Sequence, residues 1–224
     1  MNLQAKTKGD TSARLPAHEV VYRTLRDRIL FGDLAPGQAV TIQGLTTDLK
    51  AGMTPVREAI RRLMAEGALE FMGNRRVVVP RLSAEDIDQL FLVRLAVEPE
   101  LAKRACALAT DEDQSALAAI DTDLDRAIAG GDVHGYLVEN HRFHMRLNTI
   151  AQAPILSELV DSLWLRFGPS LRVVTGRFGT QTLPDRHKEL LRALAARDAE
   201  VAAAAMIGDV EQGMMFIRQA LSVD

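Results

Sequence analysis

Residues 53–80, MTPVREAIRRLMAEGALEFMGNRRVVVP, change period half-way and so limit what the chain can become. In the first part Val56, Ile60, Leu63 and Met64 recur at helical spacing, while Arg57, Arg61 and Arg62 fall off that stripe. Thr54 is placed to cap this helix, with Pro55 at its first position and Glu58 near the first turn, where the helix dipole favours a carboxylate. Gly67 closes it. The remainder, ALEFMGNRRVVVP, reads as two short strands around a Gly-Asn turn.

The residues before this stretch supply two more helices. HEVVYRTLRDRILFGDL sets Val21, Leu25, Ile29 and Leu30 at helical spacing and stops at Gly32. APGQAV reads as a turn, TIQGLTTDL as a short helix and KAG as a tight connection. Residues 17–80 therefore give helix, helix, tight turn, helix, hairpin. That order is a winged helix-turn-helix, whose second motif helix enters the major groove of DNA. Residues 1–16 read as a polar, disordered tail.

After Pro80 the strand signals stop. SAEDIDQLFLVRLAVEPELAKRACALA is a long helix capped by Ser83, with Pro99 as an expected kink. Helical stretches follow at about 111–129, 132–151, 154–175, 184–197 and 198–221, with Asp198 capping the last. The expectation for 81–224 is an antiparallel all-α bundle, and for the whole chain a mainly α fold. Alanine and leucine dominate while only ten residues are aromatic, which agrees with helix. The single cysteine, Cys106, allows no intrachain disulfide and suits a reducing compartment. The first residues lack the apolar core of a signal peptide, and no apolar run approaches the roughly 20 residues of a membrane helix. The expected location is the cytoplasm, with no membrane partner.

The net charge of −3 hides an asymmetry. Residues 1–80 hold 12 lysines and arginines against 8 aspartates and glutamates; residues 81–224 hold 15 against 22. A basic front on an acidic body points to an anionic partner at the N-terminal half. In the helical half, polar groups project from apolar faces. Asn140 and His144 share a face with Leu137, Leu147 and Ala151, and His187 lies on the stripe of Leu190, Leu191 and Leu194. Asp209 stands among Ala202, Ala205, Met206 and Phe216. One such residue is ordinarily a satisfied core group; four that converge need partners, which a metal or a ligand supplies.

TPVREAIRRLMAEGALE resembles the DNA-recognition segment of the GntR family of bacterial transcription regulators. The helical half, with VRLAVEP, NHRFHMRL and RHKELLRALAARDAE in order, is similar to the FCD-type ligand-binding domain of the FadR subfamily. The resemblance implies a homodimeric, effector-controlled regulator on a palindromic operator. Residues expected to meet the DNA are Gln43, Thr54, Arg57, Arg61, Arg62, Arg75 and Arg76. Lys50, Ala51, Gly52 and Met53 stand where the family usually has glycine, a β-branched residue, serine and arginine, and Gln43 stands where another arginine is usual. Arginine is the commonest base reader, so a changed operator is expected.

Many family members hold a divalent metal with an Asp-x-x-x-His pair and two further histidines. Those positions become Asn140, His144, His187 and Asp209, a set suited to zinc, nickel or manganese. Arg94 matches an arginine near the family's pocket, where with Asn140 and His144 it would take a small carboxylate effector; the alternative for Arg94 is a salt bridge to Glu98 one turn away. Two other functions compete with the regulator. A metal-dependent hydrolase using His144, His187 and Asp209 lacks a recognisable general base and has no use for a winged domain. A regulator defective in DNA binding is suggested by Met53 and Gln43.

Overall fold

The computed structural model describes residues 15–73, 76–178 and 186–221; of the expected tail at 1–16, residues 1–14 lie outside them. The N-terminal half comprises α1 (Ala17–Leu30), β1 (Ala39–Val40), α2 (Ile42–Asp48), α3 (Met53–Ala65), β2 (Glu70–Met72) and β3 (Arg76–Val78). The helical half comprises α4 (Ala84–Leu108), α5 (Asp111–Gly130), α6 (Val133–Ile150), α7 (Pro154–Phe178), α8 (Arg186–Ala196) and α9 (Ala199–Leu221). The fold is mainly α: a winged helix-turn-helix followed by a helical bundle. No helix among the described residues is long and apolar enough to cross a membrane.

α1 and α3 pack through Val21, Leu25, Ile29, Val56, Ile60 and Leu63, all buried. The wing has three antiparallel strands in the order β1-β3-β2, with Ala39 opposite Val78 and Phe71 opposite Val77. β1 replaces part of the expected turn. Its two residues are too few to alternate, and pairing with β3 alone makes them a strand. α3 also starts earlier than the Thr54 cap implies: Gly52 is the N-cap, in extended conformation and without a side-chain bond, and Met53 is the first helical residue. Pro55 still falls inside the first turn, where a missing N–H costs nothing.

In the helical half the expected caps at Ser83 and Asp198 form, and Thr110 and Asp132 add two more. Ser83 and Thr110 form reciprocal capping boxes with Asp86 and Asp113, Asp132 accepts from the Gly135 N–H, and Asp198 accepts from the Val201 N–H at 3.1 Å. Gly131, at φ 67°, ends α5 in the left-handed conformation that glycine adopts freely. α4 runs unbroken through Pro99. It packs along α9, with Leu101, Ala102 and Ala105 on one helix and Ala202, Met206 and Val210 on the other, all buried.

α7 joins the two halves. Arg26 of α1 is 2.6 Å from Asp161 of α7. Gly168 lies so close to α1 that a Cβ there would overlap the carbonyl oxygen of Leu30. Because that obstacle is backbone, Gly168→Ala must push α1 away from α7, and it is expected to cost about 1–3 kcal/mol, as overpacking does. Urea denaturation of the variant against wild type measures this.

Candidate functional site

His144 of α6 and His187 of α8 converge on Asp209 of α9. His144 Nε2 is 3.3 Å from Asp209 Oδ2, and His187 Nε2 is 3.9 Å from Asp209 Oδ1. One ligand atom from each of the three lies within 4.8 Å of the others. The helical spacing that set His144 on an apolar face delivers it to the interior, where it is 1% exposed. Phe143, its neighbour in sequence, stacks on the His187 ring at 4.0 Å and holds that imidazole flat. Trp164 of α7 tilts against His144 at 5.0 Å.

Burial by itself would raise the Asp209 carboxyl. The imidazole of His144 3.3 Å away, then the charges of His187 and Arg94, outweigh it and hold the group well below the usual carboxylate range. Tyr136 is shifted the other way, first by burial and then by the Asp209 charge, so its hydroxyl stays protonated. Asn140, buried at 8% exposure, lines a small cavity of about 50 Å³ with Arg94, Tyr136, Trp164, Thr175, Asp209 and Gln212. The cavity's other walls, among them Phe167, Leu171 and Phe216, are apolar. The four expected polar groups therefore meet at one place: the His-His-Asp cluster, with Asn140 on the cavity beside it.

Arg94 is already engaged. Its Nε donates to Glu98 Oε1 at 2.5 Å and a terminal nitrogen donates to Oε2 at 3.3 Å, both side chains being nearly inaccessible. Its guanidinium also lies 4.2 Å from the Phe167 ring centre. The salt bridge is the alternative that the one-turn spacing allowed, so Arg94 contributes to the cavity as one half of an ion pair. Two acids that the motifs did not mark also face the cluster, Glu98 near His144 and Asp121 near His187.

The metal question turns on what these atoms lack. Both nitrogens of His144 and Nδ1 of His187 are buried without a hydrogen-bond partner. Buried polar atoms are rarely left so. Two imidazoles and a carboxylate, with the amide of Asn140 nearby, form a donor set that suits a divalent transition ion. The residues fit the group.

In the N-terminal half, Gln43 on α2 and Thr54, Arg57 and Arg61 on α3 are all exposed. Arg57, Arg61 and Arg76 line one groove with Thr41, Met64 and Phe71, so α3 and the wing present their cations together. Arg61 shares its charge with Glu58 at 2.5 Å. Arg75 lies outside the described residues. Arg62 is placed differently: its guanidinium stacks 3.5 Å above the Tyr22 ring and pairs with Glu66 and Glu19 at 3.1 and 3.2 Å. It is turned onto α1.

Family models match both halves: the "Bacterial regulatory proteins, gntR family" model over residues 17–79, and the FCD domain model over residues 89–212. The chain belongs to the GntR family of bacterial regulators. The HTH-type transcriptional regulator McbR of Escherichia coli is 28% identical over 183 residues, covering 80% of this chain and 83% of that one. The solved structure of E. coli McbR/YncC superposes with a TM-score of 0.85 at 25% identity, over 92% of this chain and 99% of that one. A putative GntR regulator from Rhodococcus sp. RHA1 gives a TM-score of 0.75 at 26% identity, over 92% and 98%. This GntR-family chain is thus a transcriptional regulator with an FCD effector-binding domain. The hydrolase alternative finds no support, since both families and these relatives are regulators.

The two kinds of arginine on α3 make separable predictions. Arg57→Ala should weaken binding to an operator fragment and, if Arg57 meets phosphate, flatten the plot of log affinity against log salt by about one unit. Arg62→Ala should leave that slope unchanged and lower the melting temperature instead. Fluorescence anisotropy over a salt series and a thermal melt of each variant check both.

Proposed function

We propose that the chain is a cytoplasmic homodimer that binds a palindromic operator through α3 and the wing, and that a small carboxylate bound beside a divalent metal in the helical domain controls it. The observation that carries this reading is the cluster of two buried imidazoles with unpartnered nitrogens around a carboxylate held ionised, at the edge of a cavity. His144, His187 and Asp209 would hold the ion, with Asn140 as a further oxygen donor. When bound, the metal supplies a Lewis-acidic site for a carboxylate oxygen. Zinc, nickel and manganese all suit nitrogen and oxygen donors.

Arg94 shapes the chemistry of the effector from within its ion pair. Freeing its guanidinium to grip a carboxylate would leave Glu98 as an uncompensated buried charge, which costs about 3–5 kcal/mol. A single carboxylate therefore belongs at the ion, and the body of the effector meets the apolar wall of Phe167, Leu171 and Phe216. Tyr136 and Gln212 are the neutral polar groups left to orient it. Gln43 and Met53, in place of two arginines, bear on which bases α3 reads; a dimer places two such helices one helical turn apart on DNA.

Metal content per chain, measured by plasma mass spectrometry on tag-free protein, tests the central element. Wild type is expected to carry close to one ion per chain and His187→Ala essentially none. Protein that stays metal-free after equilibration with zinc, nickel and manganese would sink the metal reading and turn the effector search to molecules that need no ion. A gel shift with the gene's own upstream region, competed by unrelated DNA, tests operator binding. Loss of selectivity there would favour the reading of a regulator defective in DNA binding.

A further inference from the structure

The two histidines of the cluster are held by the same device, built twice from different helices. Each turns Nε2 towards Asp209, at 3.3 Å for His144 and 3.9 Å for His187. Each turns Nδ1 towards a buried carboxylate. For His144 this is Glu98 Oε2 of α4 at 3.8 Å, and for His187 it is Asp121 Oδ1 of α5 at 3.6 Å. The carboxylate side chains are 2% and 6% exposed. Neither Nδ1 nor Asp121 Oδ1 has a hydrogen-bond partner, and each gap closes to a normal hydrogen bond of about 2.8 Å with roughly 1 Å of movement.

A neutral imidazole carries its proton on one nitrogen and accepts with the other, and only the bare nitrogen can ligate a metal. A carboxylate facing Nδ1 selects the tautomer with the proton there, which leaves the Nε2 lone pair aimed at Asp209. It also fixes the plane of the ring. The buried acids are thus explained by what they do to the histidines. Packing alone gives no reason to bury Asp121, whose nearest cation, Lys188, is 3.9 Å away and sits closer to Asp125 at 2.8 Å.

We propose that Glu98 and Asp121 are the positioning residues of the metal site, Glu98 for His144 and Asp121 for His187. The inference rests on the metal reading above and adds two residues to it. The two acids differ in how many groups they serve. Glu98 also neutralises Arg94, so removing it disturbs the fold and the site together. Among the described residues Asp121 pairs with His187 and Lys188, and it is the cleaner probe.

The test is zinc affinity of the full chain, measured by competition with a chromophoric chelator, for wild type, Asp121→Ala, Asp121→Asn and Asp125→Ala. Asp121→Ala should bind zinc about 10- to 100-fold more weakly, and Asp121→Asn, which keeps the shape and an acceptor oxygen, towards the lower end of that range. Asp125→Ala removes the same lysine's partner without touching His187 and should match wild type. Asp121→Ala binding within about twofold of wild type, or Asp125→Ala losing as much as Asp121→Ala, overturns the assignment. If Asp121→Ala fails to fold, Asp121→Asn carries the comparison. A wild type that takes no zinc overturns the metal reading and this inference with it. A second measurement separates the two failures because it needs no metal. Long-range nitrogen–proton NMR correlations of the metal-free wild type should show a proton on His187 Nδ1, and a bare Nδ1 would overturn the positioning role by itself.

Discussion

A helical bundle tolerates charge in its core only where every charge is answered, and this requirement organises the C-terminal half. Arg94 and Glu98 satisfy each other one helical turn apart, His144 stands between Glu98 and Asp209, and His187 stands between Asp121 and Asp209. Five of the bundle's helices contribute to one connected network: α4, α5, α6, α8 and α9. None of these helices can slide along its neighbour without separating a buried pair, which costs far more than the displacement of apolar contacts. The apolar packing of α4 on α9 sets how close the helices lie. The polar network sets their register.

Much of this was legible along the sequence, and the failures have physical causes. The helices of the C-terminal half declare themselves through period and caps, because Ser83 and Asp198 do their work within three residues. β1 could not be seen, since two residues show no alternation and only β3 makes them a strand. The start of α3 shifted because Gly52 can adopt the extended conformation of an N-cap without offering a side chain, leaving Thr54 inside the first turn. Asn140, His144, His187 and Asp209 stood out as polar groups on apolar faces. Their convergence depends on how α6, α8 and α9 cross, which no local pattern contains. Asp121 carried the same signal, with Leu117, Ile120 and Leu124 on its face, but it lies in IDTDLDRA among surface acids that mask it. Glu98 could be read as a partner for Arg94; that the pair is buried could not.

The reading head divides its cations by the same logic of neighbours. Arg62 differs from Arg61 by one residue, yet one stacks on Tyr22 and the other stands at the groove with Arg57 and Arg76. The Tyr22 hydroxyl donates to Glu66, and Arg62 pairs with that carboxylate, so α1 is tied to the end of α3 by charge as well as by Leu25 and Leu63. The basic excess of the N-terminal half is therefore smaller as seen by DNA than as counted, because part of it is neutralised inside the domain. Gln43 and Met53, neutral residues where the resemblance led one to expect arginines, are both exposed on this half.

The close approach of Gly168 to Leu30 has a mechanical consequence. Trp164, one turn earlier on α7, touches His144 on one side and His141 on the other at ring separations of 5.0 and 5.3 Å, and His141 in turn meets Phe31 at the end of α1 at 5.7 Å. The cavity wall at Trp164 and the contact at Gly168 are thus about 6 Å apart along α7, with Pro169 next to that contact. With no side chain between Gly168 and the Leu30 carbonyl, there is no compressible cushion to absorb a displacement of the indole. α1 extends about 21 Å from that contact and carries α3 on its side. A displacement of the indole would therefore bear directly on the backbone of the helix that supports α3.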